Sequence, residues 1–262
     1  MSQPHVDIAE QPGVGLDGLP RSPEGSEDVV VTTGNAVVLL DGATEFRQDL
    51  PSGGWYAARL GERIERLLLG APHDDLGSVL GKAIAEVTEA GSLTRRHSPS
   101  STVAMLRWTD DTIEALVLAD SPIVAFGQSG FEVVADTRLD ELRESGRLRT
   151  RAQVDRLRNS EGGFWVAEAD PGAANQALRR TWRREEIEAV VLATDGVSVG
   201  VDDYRVLEWP SVLSIARDQG AARVLDVVRT AELGDPGRTR WPRAKLHDDQ
   251  ALALIDFTRC RG

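Results

Sequence analysis

The chain has 262 residues, 41% of them hydrophobic, and its 30 Lys and Arg against 42 Asp and Glu leave a formal net charge of −12. That apolar content suffices for a real core, yet no run approaches the roughly 18 apolar residues that a membrane span requires. So acidic a surface repels nucleic-acid phosphates, so neither nucleic acid nor membrane is an expected partner.

Residues 1–26 carry Gly13, Gly15, Gly18, Pro4, Pro12, Pro20 and Pro23 with no sustained period. They are expected to form a flexible arm, with 1–20 dispensable, ahead of one domain over 27–262. The N-terminal MSQPHVDIAEQPG has neither the basic region nor the apolar stretch of a secretory signal, so the expected location is cytoplasmic. EDVVVTTGNAVVLLDG reads as two strands around a Thr33-Gly34-Asn35 hairpin connection. Residues 53–69 place Trp55, Ala58, Leu60, Ile64, Leu67 and Leu68 near helical spacing, and 75–90 do the same with Leu76, Val79, Leu80, Ala83, Ile84 and Val87. Four strands follow, STVAMLRW, TIEALVLA, PIVAFG and FEVVADT. Residues 139–159 are charged and helical, with their basic stretch RLRTRAQVDRLRN read as a solvated face. EGGFWVAEADP is expected as a short strand and turn, AANQALRRTW as a helix or loop, and EIEAVVLATDG as a strand. WPSVLSIARDQG and AARVLDVVRTAEL read as helices before a last strand, ALALIDF. Runs of strands and runs of helices, without regular alternation, indicate an α+β order with antiparallel pairing.

Three of these strands share a grammar: an apolar run, then Asp, then Gly or a second Asp. They are AVVLLDG with Asp41, VVLATDG with Asp195, and the terminal strand preceded by Asp248 and Asp249. A carboxylate closing a buried strand needs a partner, because burying it alone is costly. Several such tips at one sheet edge make an oxygen-rich pocket for hard divalent cations. With four His and one Cys in the chain, that pocket suits Mg²⁺ or Mn²⁺ rather than zinc. The lone Cys260 excludes an internal disulfide, fits a reducing compartment and has no phosphate-binding loop around it to make it a nucleophile.

The ordered set Glu27-Asp28, Asp41-Gly42, Asp120-Ser121, Asp195-Gly196 and Asp248-Asp249 resembles the type 2C metal-dependent protein Ser/Thr phosphatases, the PPM family, in the spacing of its compact bacterial members. The resemblance spans about residues 27–257. It implies two packed antiparallel β-sheets flanked by helical layers, an α-β-β-α sandwich. It further implies hydrolysis of phosphoserine or phosphothreonine in a phosphorylated protein substrate, by a water bridging two divalent ions, Mn²⁺ or Mg²⁺. Carried over position by position, Asp41, the Gly42 carbonyl, Asp195 and Asp248 are the metal ligands. Asp41 and Asp195 hold the bridging water, Asp120 is the ligand of a third ion, Glu27 is an outer acceptor for metal-bound waters, and Asp249 orients the loop.

Departures from the family pattern bear on turnover. Ala43 stands where some members have a general-acid histidine, Gly53-Gly54 is a displaced counterpart of the family's glycine pair, and Ala119 replaces a glycine before Asp120. Pro23 replaces the phosphate-binding arginine, for which Arg21 substitutes only if the arm folds inward. His247, beside Asp248, is a candidate proton donor or an ordinary loop histidine. The alternative to an enzyme is a phosphatase-like scaffold that keeps the metal site without turnover.

Overall fold

The computed structural model describes residues 3–15, 19, 25–43 and 49–260. Ten strands pair into two antiparallel sheets. The first is ordered β1 (Pro4–Gln11), β10 (Gln250–Cys260), β9 (Ile187–Ala193), β6 (Ile123–Gly127) and β7 (Gly130–Val134). The second is ordered β2 (Asp28–Thr32), β3 (Ala36–Asp41), β4 (Val103–Trp108), β5 (Thr112–Leu118) and β8 (Leu178–Arg183).

The central strands read as unbroken apolar runs because both of their faces are buried. On β3, Val37 and Leu39 enter the core between the sheets, whereas Ala36, Val38 and Leu40 meet helices α1 (Gly53–Gly70) and α2 (Leu76–Ala90). On β9, Val190 and Leu192 face the other sheet. Ala189, Val191 and Ala193 pack under α5 (Asp195–Asp202), α6 (Trp209–Gln219) and α7 (Ala221–Leu233). Strand periodicity on two faces therefore builds four layers, helix, sheet, sheet, helix, as expected.

Helix α1 starts where Ser52 accepts the Trp55 N–H, and it buries Tyr56, Ala57, Leu60, Ile64 and Leu68, spaced by three and four. Helix α2 starts likewise at Asp75, which accepts the Ser78 N–H. The charged stretch after β7 forms two short helices, α3 (Arg138–Glu144) and α4 (Arg151–Leu157), over a small cluster of Leu142, Leu157, Phe164 and Val166. Among the described residues no helix is long and apolar enough to cross a membrane.

Two expectations are corrected. Residues 4–11, expected in a flexible arm, form β1, which pairs along its length with β10; half-buried Val6 and Ile8 reach the inter-sheet core. The turn-rich composition concealed this strand, because its PHVDIAEQ alternation is only half apolar. The segment expected as helix or loop, 173–182, is a 3₁₀ turn followed by β8, which pairs with β5 from Leu178↔Val117 to Arg183↔Thr112. An edge strand studded with arginine has a propensity that favours no strand, and pairing overrides it. The segment after Asp195, GVSVGVD, is helical although rich in Val and Gly.

Candidate metal centre

Two sheets deliver acids to one end of the sandwich. Asp41 is the last residue of β3, with Asp28 opposite it in the β2–β3 register. Asp195, from the other sheet, opens α5 immediately after β9 and Thr194. Asp248 and Asp249 precede β10, and Asp120 follows β5. The Asp41 and Asp195 carboxyls lie within reach of each other, an arrangement that disfavours two anions side by side. Burial first, and neighbouring carboxylates second, push both well above the ordinary aspartate range. Asp28 and Asp248 repel Asp41 most, and Asp41 and Asp248 repel Asp195 most; Asp120 also bears on both. Asp28 is raised in the same way. Its Oδ2 accepts the Thr194 hydroxyl at 2.8 Å, while its Oδ1 is buried without a hydrogen-bond partner among the described residues.

Among the described residues no three His, Cys, Asp or Glu side chains converge as a ready-made cage for an ion. The pair that does meet, Asp41 and Asp195, fits a hard divalent cation. Both donors are anionic oxygens, both are destabilised as anions by burial and by each other, and a cation relieves both costs.

The remaining acids are differently placed. Asp248 Oδ1 lies 2.6 Å from Lys245 Nζ, and buried Glu27 lies 3.6 Å from the same ammonium. Asp120 sits 3.7 Å from Arg143 on α3. Neither Lys245 nor Arg143 was legible as a site residue, since a lone basic residue in a charged loop or helix carries no pattern. Asp249 is buried, and its Oδ1 accepts the Gly13 N–H at 2.8 Å, clamping the segment after β1 to the loop before β10. His247 faces neither solvent nor the aspartate pair: its Nδ1 is 3.1 Å from Glu232 Oε2. Arg21 lies outside the described residues.

Backbone geometry carries part of the motif. A Cβ at Gly42 would meet Gly53 C at 2.3 Å, and one at Gly54 would come within 3.2 Å of Glu27 Cα. The Gly53-Gly54 pair therefore brings the start of α1 against both the Asp41-Gly42 and the Glu27 backbone. A Cβ at Gly196 would meet Asp249 O at 1.9 Å, so this glycine permits the approach of the β9 and β10 loops. Ala119, at φ +69°, holds the left-handed conformation that a glycine adopts freely.

Beneath the Asp248 loop lies a buried ionic network. Arg229 donates to Glu232 Oε2 at 3.1 Å and to the Asp248 carbonyl at 2.8 Å. Arg243 donates to the Glu232, Asp235 and Leu246 carbonyls. Burial, outweighing Arg229 and Arg243, pushes Glu232 up to about 7. A carboxyl raised in the folded state contributes stability at low pH that is lost as pH rises through its folded value. Lowering the pH from about 8 to about 6 should therefore stabilise the metal-free protein, by about 1 kcal/mol through Glu232 alone. Asp28, Asp41 and Asp195 act in the same direction. His247, lowered by burial and then by Arg229 and Arg243, acts against them. The expected net result is a thermal midpoint several degrees higher at the lower pH, with Mn²⁺ flattening the difference. A midpoint that falls steadily on acidification would refute this balance.

No protein-family model and no curated protein sequence matches the chain. Its architecture is nevertheless defined: two five-stranded antiparallel sheets between helical layers make the fold of the bacterial PPM-type Ser/Thr phosphatases. The serine/threonine phosphatase Stp1 from Staphylococcus aureus superposes with a TM-score of 0.63 at 10% identity, over 98% of this chain and 96% of that one. The PPM Ser-Thr phosphatase MsPP from Mycobacterium smegmatis, solved with cacodylate, gives 0.60 at 15% identity over 98% and 99%. The catalytic domain of the phosphatase PstP, solved with two manganese ions, gives 0.56 at 13% over 98% and 99%. At these identities the likeness is one of fold.

Proposed function

We propose that the chain is a metal-dependent phosphoprotein phosphatase acting on phosphoserine or phosphothreonine. The observation that carries this reading is the meeting of Asp41 and Asp195, which come from different sheets and whose adjacency as anions is costly until a cation relieves it. Asp41, the Gly42 carbonyl, Asp195 and Asp248 would hold Mn²⁺ or Mg²⁺, with Asp120 at a third position. When bound, the ions supply positive charge for the phosphoryl oxygens and an activated water, so no nucleophilic side chain is required. The protein's share is positioning. Thr194 fixes Asp28 beside the pair, Gly196 lets the β9 and β10 loops close, and the Asp249–Gly13 hydrogen bond holds the Asp248 loop down. Buried walls of β3 and β9 keep the carboxylates in one geometry, which favours a reaction that depends on fixed charge.

A second reading, a scaffold that retains the fold without turnover, is favoured by the ion pairs at Asp248 and Asp120 and by Ala43 at the family's histidine position. Hydrolysis of a phosphothreonine peptide and of p-nitrophenyl phosphate, with and without Mn²⁺, separates the two. Turnover that appears only with metal supports the enzyme. Absence of turnover under all metals, in a folded protein that binds Mn²⁺, supports the scaffold.

A further inference from the structure

Two of the carboxylates expected around the ions, Glu27 and Asp248, already face a cation belonging to the chain. Lys245 Nζ lies 2.6 Å from Asp248 Oδ1 and 3.6 Å from Glu27 Oε2, and only 12% of its side chain is exposed. Its backbone is not free to withdraw it. The loop carrying it is tied down by Arg243, which donates to the Leu246 carbonyl, and by Arg229, which donates to the Asp248 carbonyl. Asp235 tightens the same loop by accepting the Thr239 and Trp241 N–H groups and pairing with Arg243.

A surface lysine would swing into water and leave its partner to an incoming ion at little cost. This one is held between two acids, at the end of the sandwich where Asp41 and Asp195 are brought together. A divalent ion bound through Asp248 Oδ1 has to break that ion pair or sit beside a positive charge, and at such separations in a partly buried site the repulsion is large.

We infer that Lys245 is a tethered cation that takes the Glu27–Asp248 side of the cleft in place of a divalent ion and so limits how many ions the protein holds and how tightly. The inference rests on the metal reading proposed above and makes Lys245 a specificity-determining residue for metal occupancy. Under it, the Asp41–Asp195 pair takes its ion first in the wild type, and an ion held through Asp248 binds more weakly because it must displace the ammonium.

Calorimetric titration of the full chain with Mn²⁺ tests it, with no activity required. Lys245→Met should either add a second bound ion or tighten the existing one by about tenfold or more. Lys245→Arg, which keeps the charge, should bind as the wild type does. Binding by Lys245→Met alone, with none by wild type, would also support the inference. Equal stoichiometry and affinity in wild type and Lys245→Met would overturn it. If that binding is nevertheless lost in Asp195→Asn, the metal reading stands and only the role of Lys245 falls. If neither wild type nor Lys245→Met binds Mn²⁺, both fall together. Should Lys245→Met be unfolded without metal, Mn²⁺ should restore a cooperative melt, since an ion would replace the missing charge, and failure of that rescue would count against the inference.

Discussion

Asp195→Asn is expected to lower Mn²⁺-dependent phosphoester hydrolysis by roughly two to four orders of magnitude while leaving the fold intact, because Asn keeps the shape but not the anion that holds the cation. The metal-free consequence is the opposite of a typical buried-site lesion. In the wild type burial and mutual repulsion disfavour the anionic forms of the Asp41 and Asp195 carboxyls, with Asp28, Asp120 and Asp248 adding repulsion. An asparagine amide can donate to the Asp41 carboxylate without any proton being taken up. The metal-free variant should therefore melt no lower than metal-free wild type at about pH 8 and should lose the stabilisation that Mn²⁺ confers. Asp249→Asn should be milder in hydrolysis, since that carboxylate binds the Gly13 N–H. Full Mn²⁺-dependent activity in Asp195→Asn would show that the centre has been assigned to the wrong residues.

The second large effect concerns stability. Removing residues 1–12 should unfold the protein or lower its thermal midpoint by more than about 10 °C, measured by circular dichroism. Strand β1 pairs with β10 from His5↔Asp256 to Gln11↔Gln250, and Asp7 accepts the Ala221 N–H at 2.7 Å at the start of α7. Several ladder bonds, each worth about 1 kcal/mol net, together rival the whole stability of a typical domain. Their loss would also expose the apolar β10 as a sheet edge, which invites aggregation. A truncated chain that melts as the full one does would mean that β1 contributes nothing to the ladder it occupies.

What was legible followed burial. Strands β3 and β9 announce themselves because both faces are apolar, and α1 and α2 because three-and-four spacing survives their charges. Asp41 and Asp195 were legible because an acid closing a buried run is physically anomalous. Elements whose stability comes from a partner elsewhere were not. PHVDIAEQ becomes a strand only because β10 lies beside it, and LRRTWR only because β5 does. Val and Gly after Asp195 argue against a helix, yet α5 closes under Tyr204, Leu207 and α7, where Gly200 leaves room for Val228. Lys245 was invisible for the same reason. Nothing local marks a lysine in the loop before β10, and its meaning arises only where that loop meets Glu27 from the start of the other sheet.

The neighbouring of β1 and β10 sets an order of events during synthesis. Residues 4–11 emerge well before their partner strand, which follows about 240 residues later, so the ladder between them is among the most non-local contacts a chain of this size can make. The sheet that receives Asp195 cannot finish until β10 inserts between β1 and β9, and the same step delivers Asp248 and clamps Asp249 onto Gly13. The nascent polypeptide therefore carries β1 unpaired while the roughly 240 residues up to its partner are made, in need of protection from other chains. On the proposed metal reading, the centre is complete only once β10 has inserted, so a chain that stops short of β10 has no working centre to misuse.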